Sequence, residues 1–252
     1  MLQAENLRYR YQHHTPLLEN AECTIRPGEI VGLPGPSGCG KTTLGRLLAG
    51  FFPPQAGSVV CEGRPLPKKG YCPVQMIFQH PELSVNPRWK IWKILAEGNR
   101  DCADLLHRFG IQPGWLDRYP HELSGGELQR ITLIRAMNRS TRYLIADEVT
   151  ASLDPNTQAL IWQAVIEWAK SRQVGVLAIS HSQTLLERIS DRIDDTFSTG
   201  LPDLSRTGIG RIRPFLIFEI KEMMRHDRIQ TTRRYLHIHT RLMRKALFDE
   251  TL

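Results

Sequence analysis

No stretch of this chain approaches the roughly 18 uninterrupted apolar residues of a membrane-spanning helix, although 41% of its 252 residues are hydrophobic. Its first residues, Met1-Leu2-Gln3-Ala4-Glu5, lack the basic-then-apolar order of an export signal. A cytoplasmic protein is expected. Cysteine is sparse and without pattern: Cys23, Cys39, Cys61, Cys72 and Cys102 are odd in number and none stand in C-x-x-C spacing. That argues against a disulfide framework or a zinc site. Internal repeats, heptad runs and low-complexity segments are all missing. Excess charge of one sign is also scarcer than the net +7 suggests, because from Leu201 onward 11 Lys and Arg face 6 Asp and Glu. The body of the chain is nearly neutral, so its charge points to no nucleic-acid partner.

The chain is long enough to bury a substantial core. Apolar and polar residues alternate from Leu2 to Tyr11, as in an antiparallel strand, and Glu29 to Leu33 reads as a buried strand. Glycines break that strand, helix-compatible residues run from Lys41 to Ala49, and Gly50 with Pro53-Pro54 stops them. Ser58–Cys61, Val74–Phe78, Tyr143–Ala146 and Val174–Ile179 read as further strands. Pro155 opens a helix to Ser171, and residues 89–137 form a mainly helical lobe with breaks near Gly98, Gly110 and Pro120. Strands alternating with helices predict an α/β fold with a mostly parallel sheet.

Three separated segments carry the chemistry. The first is Gly35-Pro36-Ser37-Gly38-Cys39-Gly40-Lys41-Thr42, followed by Thr43, which fits G-x-x-x-x-G-K-[ST] in a strand, loop and helix context. A triphosphate needs many donors and no bulky side chains in the way. The glycines let backbone N–H groups turn toward the phosphates, the helix start is electropositive, Lys41 adds a full charge, and Thr42 offers a hydroxyl to Mg²⁺. The second segment, Asp147-Glu148, follows an apolar strand. Asp147 can present a rigid carboxylate to the metal, directly or through water. Glu148, one residue on, points elsewhere and is placed to polarise the attacking water. The third, Leu123-Ser124-Gly125-Gly126-Glu127, pairs an N-cap serine with two small residues before a helix, a second anion-binding helix start. ATP and Mg²⁺ are the expected ligands.

The order of phosphate loop, Leu-Ser-Gly-Gly-Glu and apolar strand ending in Asp-Glu resembles the ATP-binding cassette (ABC) ATPases over about residues 1–193. The resemblance implies a P-loop NTPase fold with an antiparallel β subdomain and a helical lobe. It also implies a sandwich dimer, in which Ser124, Gly125, Gly126 and Glu127 of one protomer close over ATP held by the other. Tyr11 resembles the aromatic that stacks on adenine, Gln79 the glutamine that touches Mg²⁺ and senses the transport subunit, and His181 the switch histidine at the γ-phosphate. Ala151-Ser152-Leu153-Asp154 resembles the loop that communicates across the dimer, through Asp154. Gln75–Gln79 continuing into Leu83-Ser84-Val85-Asn86-Pro87-Arg88 is similar to the oligopeptide, dipeptide and nickel uptake branch. Its members imply a second ATPase subunit, identical or not, two integral membrane permeases and an extracytoplasmic binding protein. They place the chain peripherally on the cytoplasmic face of the membrane.

The pattern departs after Ser190-Asp191-Arg192-Ile193. Where such an ATPase continues with a strand and a hairpin, this chain has Asp194-Asp195-Thr196-Phe197-Ser198-Thr199-Gly200 and a basic tail. His226 and Ile229 to Tyr235 weakly resemble the end of a tyrosine recombinase, but the chain contains no His-x-x-Arg. Residues 194–252 are read as an atypical tail, foreign or recombinase-like. Against an importer subunit stand a non-transport ABC ATPase, whose long coiled-coil insertions or duplicated cassette are absent here, and an inactive remnant with a DNA-binding tail.

Overall fold

A computed structural model describes residues 1–11, 17–99, 102–151 and 153–197. Ser152 and the recombinase-like stretch from His226 to Tyr235 lie outside the described residues. Met1–Leu66 and Cys72–Gly200 make one compact unit. A second takes 67–71 with 201–252, and of it only the exposed segment Pro67–Tyr71 is described.

The chain opens with β1 (Leu2–Tyr9), β2 (Leu18–Ile25), β3 (Ile30–Leu33), α1 (Lys41–Leu48), β4 (Ala56–Cys61), β5 (Arg64–Pro65) and β6 (Val74–Ile77). Next come α2 (Ile91–Gly98), α3 (Ala103–Arg108) and α4 (Gly125–Ala136), with short 3-10 turns between them. The order closes with β7 (Tyr143–Asp147), α5 (Pro155–Arg172), β8 (Gly175–Ile179), α6 (Gln183–Ile189) and β9 (Arg192–Ile193). Strands β2-β1-β4-β5 pair in that order as an antiparallel sheet, and β6-β7-β8-β3-β9 as a parallel one. The fold is α/β, as the alternation of elements predicts.

The parallel sheet is covered on both faces, which explains why β7 up to Ala146 and all of β8 are apolar rather than alternating. Their side chains still divide by strand period. Tyr143, Ile145, Leu177 and Ile179 join α1 and the antiparallel sheet in one core, together with Val31 and Leu33. Leu144, Ala146, Val176 and Ala178 join α5 and the helical lobe in the other. In the lobe, Ile91, Ile94, Phe109, Ile131 and Ile134 are fully buried. Buried Asn99 donates to the Ile134 and Met137 carbonyls at 3.1 and 2.8 Å and so ties the end of α2 to the C-terminus of α4, where helix carbonyls run out of intrahelical partners.

Helix α5 begins where Asp154 accepts from the Asn156 and Thr157 N–H groups at 3.1 and 3.0 Å, with Pro155 in the first position. It ends at Gln173, which takes the left-handed conformation. The first strand stops at Tyr9, not Tyr11. The side-chain amide of Gln55 takes both backbone groups of Arg10, at 3.1 and 3.0 Å, so that residue leaves the ladder. Strands β2, β5 and β9 have no counterpart in the sequence reading.

Leu177 sits at the centre of the parallel sheet with no exposed surface. Leu177→Ala is expected to lower unfolding free energy by about 2–5 kcal/mol in urea titrations. A cost below about 1 kcal/mol would contradict the two-layer core.

Candidate functional site

Four parallel strands end at one level. Leu33 of β3 and Asp147 of β7 both pair with Ile179 of β8, and Ile77 of β6 pairs with Ala146. The residues that follow these pairs therefore emerge together at the carboxyl edge of the sheet, the edge where open α/β sheets hold ligands. They are the phosphate loop after Leu33, Gln79 after Ile77, Asp147-Glu148, and His181 after Ile179.

In the phosphate loop, Pro36, Ser37 and Gly38 are exposed whereas Lys41 is only 5% exposed. Its ammonium donates to the Gly35 and Pro36 carbonyls at 2.7 and 2.8 Å and lies 3.7 Å from Cys39 Sγ, so the lysine closes its own loop into a ring. Gly35 adopts φ 147°, which a side chain would strain. At the start of α1, Gly40 supplies no side-chain cap, and no acid stands in the first turn. The amide donors and the positive end of this helix thus keep their pull for an external anion. Cys39 is buried. Thr42 is half-buried and its hydroxyl serves Asp147. The Thr43 hydroxyl instead lies 3.2 Å from the Tyr11 hydroxyl, and the Tyr11 ring stands edge-on to Tyr9 with centroids 5.1 Å apart.

Asp147 is 4% exposed. Burial pushes its carboxyl above the ordinary aspartate range, and the neighbouring Glu148 adds to this. The Thr42 hydroxyl, Arg46 and Lys41 oppose the shift. Glu148 leaves the strand in the left-handed region at φ 51°, with its N–H donating to the Ile179 carbonyl at 3.0 Å. This turn separates it from Asp147 and aims it at His181, whose Nε2 contacts Glu148 Oε1. The same Nε2 lies 3.4 Å from Ser37 Oγ, so Glu148, His181 and the phosphate loop meet in one cluster. Gln79 is exposed in the loop after β6.

Ser124, Gly125, Gly126 and Glu127 lie elsewhere, at the start of α4. Ser124 Oγ accepts from the Glu127 N–H at 3.3 Å, and Glu127 Oε2 accepts from the Ser124 N–H at 2.7 Å, a complete capping box. Ser124 and Gly125 are exposed. Among the described residues no hydrogen bond or ion pair joins this turn to the phosphate loop. A β-carbon on Gly126 would stand 2.5 Å from Leu153 Cδ2, so glycine there brings the turn against the loop that carries Asp154. Asp154 itself caps α5, and the Thr157 side chain holds its carboxyl below the ordinary range.

Two residues not singled out from sequence, Gln129 and Thr150, complete the arrangement. Buried Gln129 of α4 donates to the Phe78 carbonyl at 3.1 Å, immediately before Gln79. The Phe78 ring in turn contacts Phe51 at 5.3 Å and carries the Arg46 guanidinium at 5.9 Å. The loop bearing Gln79 is thereby tied both to α1, behind the phosphate loop, and to α4. Thr150 receives Gln158 at 2.9 Å and Trp162 at 3.1 Å, fixing the segment after Glu148 to α5. Such long-range bonds from ordinary polar residues leave no local signature.

The ABC transporter family matches residues 18–151. Over 192 residues the chain is 34% identical to the probable D,D-dipeptide transport ATP-binding protein DdpF of Escherichia coli K12, covering 71% of this chain and 60% of that protein. It is 32% identical over 220 residues to the nickel import ATP-binding protein NikE of Escherichia coli O157:H7, covering 77% of this chain and 82% of that relative. It thus spans about 60% of the length of several peptide-transport relatives, and more of the nickel relative. Among solved structures, a dimeric bacterial ABC transporter cassette superposes with a TM-score of 0.66 at 21% identity, over 77% of this chain and 93% of that one. That likeness is one of fold: a P-loop NTPase cassette.

The Glu127 carboxyl is held below its ordinary value of 4.5, first by the Ser124 N–H. A carboxyl more acidic in the folded than in the unfolded chain contributes stability above that ordinary value and loses it as pH falls through the folded one. Glu127→Ala is expected to cost about 0.5–1 kcal/mol near pH 7, in line with a lost cap. The difference from wild type, followed by thermal unfolding against pH, should vanish on acidification below 4.5. A difference that grows on acidification would contradict the capping box.

Proposed function

The chain belongs to the ABC transporter family, and on that premise we propose that it binds and hydrolyses ATP to energise an uptake transporter for peptides or nickel complexes. The observation that carries this reading is the convergence of Lys41, Asp147, Glu148, His181 and the α1 N-terminus on one sheet edge.

The triphosphate would lie along the exposed arc Pro36–Gly38, its oxygens taking donors from the loop, from the start of α1 and from Lys41. Tyr11, held against α1 by Thr43, is placed as a wall for the adenine. Thr42, Gln79 and Asp147 would hold Mg²⁺. The fit rests on Asp147, a buried carboxylate whose charge burial disfavours and a divalent cation would stabilise, and on a donor set made only of oxygens, as Mg²⁺ prefers. When bound, the ion draws negative charge from the β- and γ-phosphate oxygens. Glu148 accepts the proton of the attacking water as the water oxygen bonds to the γ-phosphorus, and ADP departs with the former bridging oxygen. His181 orients Glu148 and, through Ser37, senses the loop.

The exposed Ser124 and Gly125, with Gly126, would supply donors to ATP held by a second ATPase subunit, identical or related. Leu153 and Asp154 beside them would register that contact. Two integral membrane permeases and an extracytoplasmic binding protein complete the assembly, with this chain peripheral on the cytoplasmic face. Among the described residues no helix is long and apolar enough to cross a membrane. The transport roles of the dipeptide and nickel relatives support the two cargo classes.

Glu148→Gln should retain ATP binding while lowering steady-state hydrolysis by about a hundredfold or more, the scale of general-base catalysis. The matched measurements are equilibrium binding of ATP and phosphate release. Normal hydrolysis by this variant would remove Glu148 as the base, and failure of the folded wild type to bind ATP would overturn the whole reading.

A further inference from the structure

The turn that follows β9 packs against the phosphate loop. Strand β9 pairs with β3 over only Arg192 and Ile193. Asp194 then turns the chain: its N–H donates to the Gly32 carbonyl at 2.8 Å, and its carboxylate accepts from the Thr196 N–H at 3.1 Å and from the Thr196 hydroxyl. Arg192 clamps the turn from outside, with Nη1 3.5 Å from Asp194, Nε 3.0 Å from Glu29, and Nη2 donating to the Thr24 carbonyl at 2.7 Å.

The turn delivers Phe197 to the loop. Phe197 is 7% exposed and packs in the cluster that contains Leu33, Cys39 and Leu44. A β-carbon built on Gly35 would stand 3.2 Å from Phe197 Cβ, 3.1 Å from Cys39 Sγ and 3.5 Å from Lys41 Cδ. Gly35, at φ 147°, therefore has a wall made jointly by the loop's own residues and by Phe197. With no side chain of its own, this glycine depends on that wall for its placement. Its carbonyl is also one of the two that hold Lys41.

We infer that Phe197 is a positioning residue of the phosphate loop, holding Gly35 and, through its carbonyl, the Lys41 ammonium in the geometry that receives a triphosphate. The inference rests on the nucleotide reading above, but its physical content does not. Removing the ring keeps the β-carbon beside Gly35 but opens a void in the cluster that holds Leu33, Cys39 and Leu44, and a packed interior transmits such a void to its neighbours. Small displacements of a positioned group cost binding and rate disproportionately.

The test uses the full chain with Phe197→Ala and Phe197→Leu. Leu105→Ala, a comparable apolar truncation in the helical lobe, controls for loss of stability alone. Amide hydrogen exchange at Gly35–Gly40 and equilibrium binding of ATP are measured for each. Phe197→Ala should speed exchange in the loop and raise the ATP Kd about tenfold, a loss in the range set by misplaced binding groups. Phe197→Leu should restore most of both, and Leu105→Ala should change neither. Wild-type exchange and affinity in folded Phe197→Ala overturn the inference, as does an equal effect from Leu105→Ala. Faster loop exchange in a protein whose wild type binds no ATP supports the positioning role and overturns the nucleotide reading instead.

Discussion

The constraint on which the site depends is the parallel register of β3, β6, β7 and β8. Because Leu33, Ile179 and Asp147 stand at one level, with Ile77 opposite Ala146, a loop, an exposed glutamine, two acids and a histidine from distant parts of the chain leave the sheet side by side. A one-residue slip of β7 would turn its side chains to the opposite faces and move the carboxylates along the edge. The apolar runs Tyr143–Ala146 and Gly175–Ile179, buried on both faces, are what make that slip costly. The chemistry is therefore held in place by the packing of the sheet beneath it.

The phosphate loop, the Asp-Glu pair and the capped α4 were legible because each is a local pattern whose physics is complete within a few residues. Ser124 and Glu127 cap each other three residues apart, and Lys41 bonds carbonyls five and six residues behind it. Strand β2 was not legible. Its alternation is interrupted by Asn20 in the left-handed region and by register shifts against β1, which leaves only the five residues Ala21–Ile25 in period 2. Gln129, Thr150 and Phe197 act over separations of up to 162 residues, as Phe197 does on Gly35. Nothing in the residues adjacent to them distinguishes such roles. Tyr11 lay between these cases: its residue type was informative, but its placement is set by Gln55 drawing Arg10 out of the ladder.

The starts of α1 and α4 differ in how they are capped, and the difference fits the division of labour proposed for them. Helix α1 carries neither a side-chain cap nor an acid in its first turn, and its loop brings a lysine instead. Helix α4 carries a full capping box, with the Glu127 carboxylate folded back on the Ser124 N–H. The first start is a strong, general attractor for negative charge. The second has part of its field already met by an acid of its own. A turn of this kind holds an anion well only when another surface presents that anion, as a second subunit would.

Binding at the edge is an exchange of partners. The Lys41 ammonium is fully engaged with Gly35, Pro36 and Cys39, and His181 with Glu148 and Ser37. A phosphate oxygen that takes Lys41 releases a loop carbonyl, and one that takes Ser37 or His181 loosens the hold on Glu148. Net gain per exchanged hydrogen bond is small, on the order of 1 kcal/mol, whereas bonds to charged groups gain about twice that. On the proposed reading, the γ-phosphate would have the most charge to offer His181 and Ser37, and so the greatest power to free Glu148 from the cluster. An anion bound only at Lys41 would leave Glu148 paired with His181. On that reading the arrangement would link release of Glu148, the proposed base, to the presence of the group that is to be cleaved.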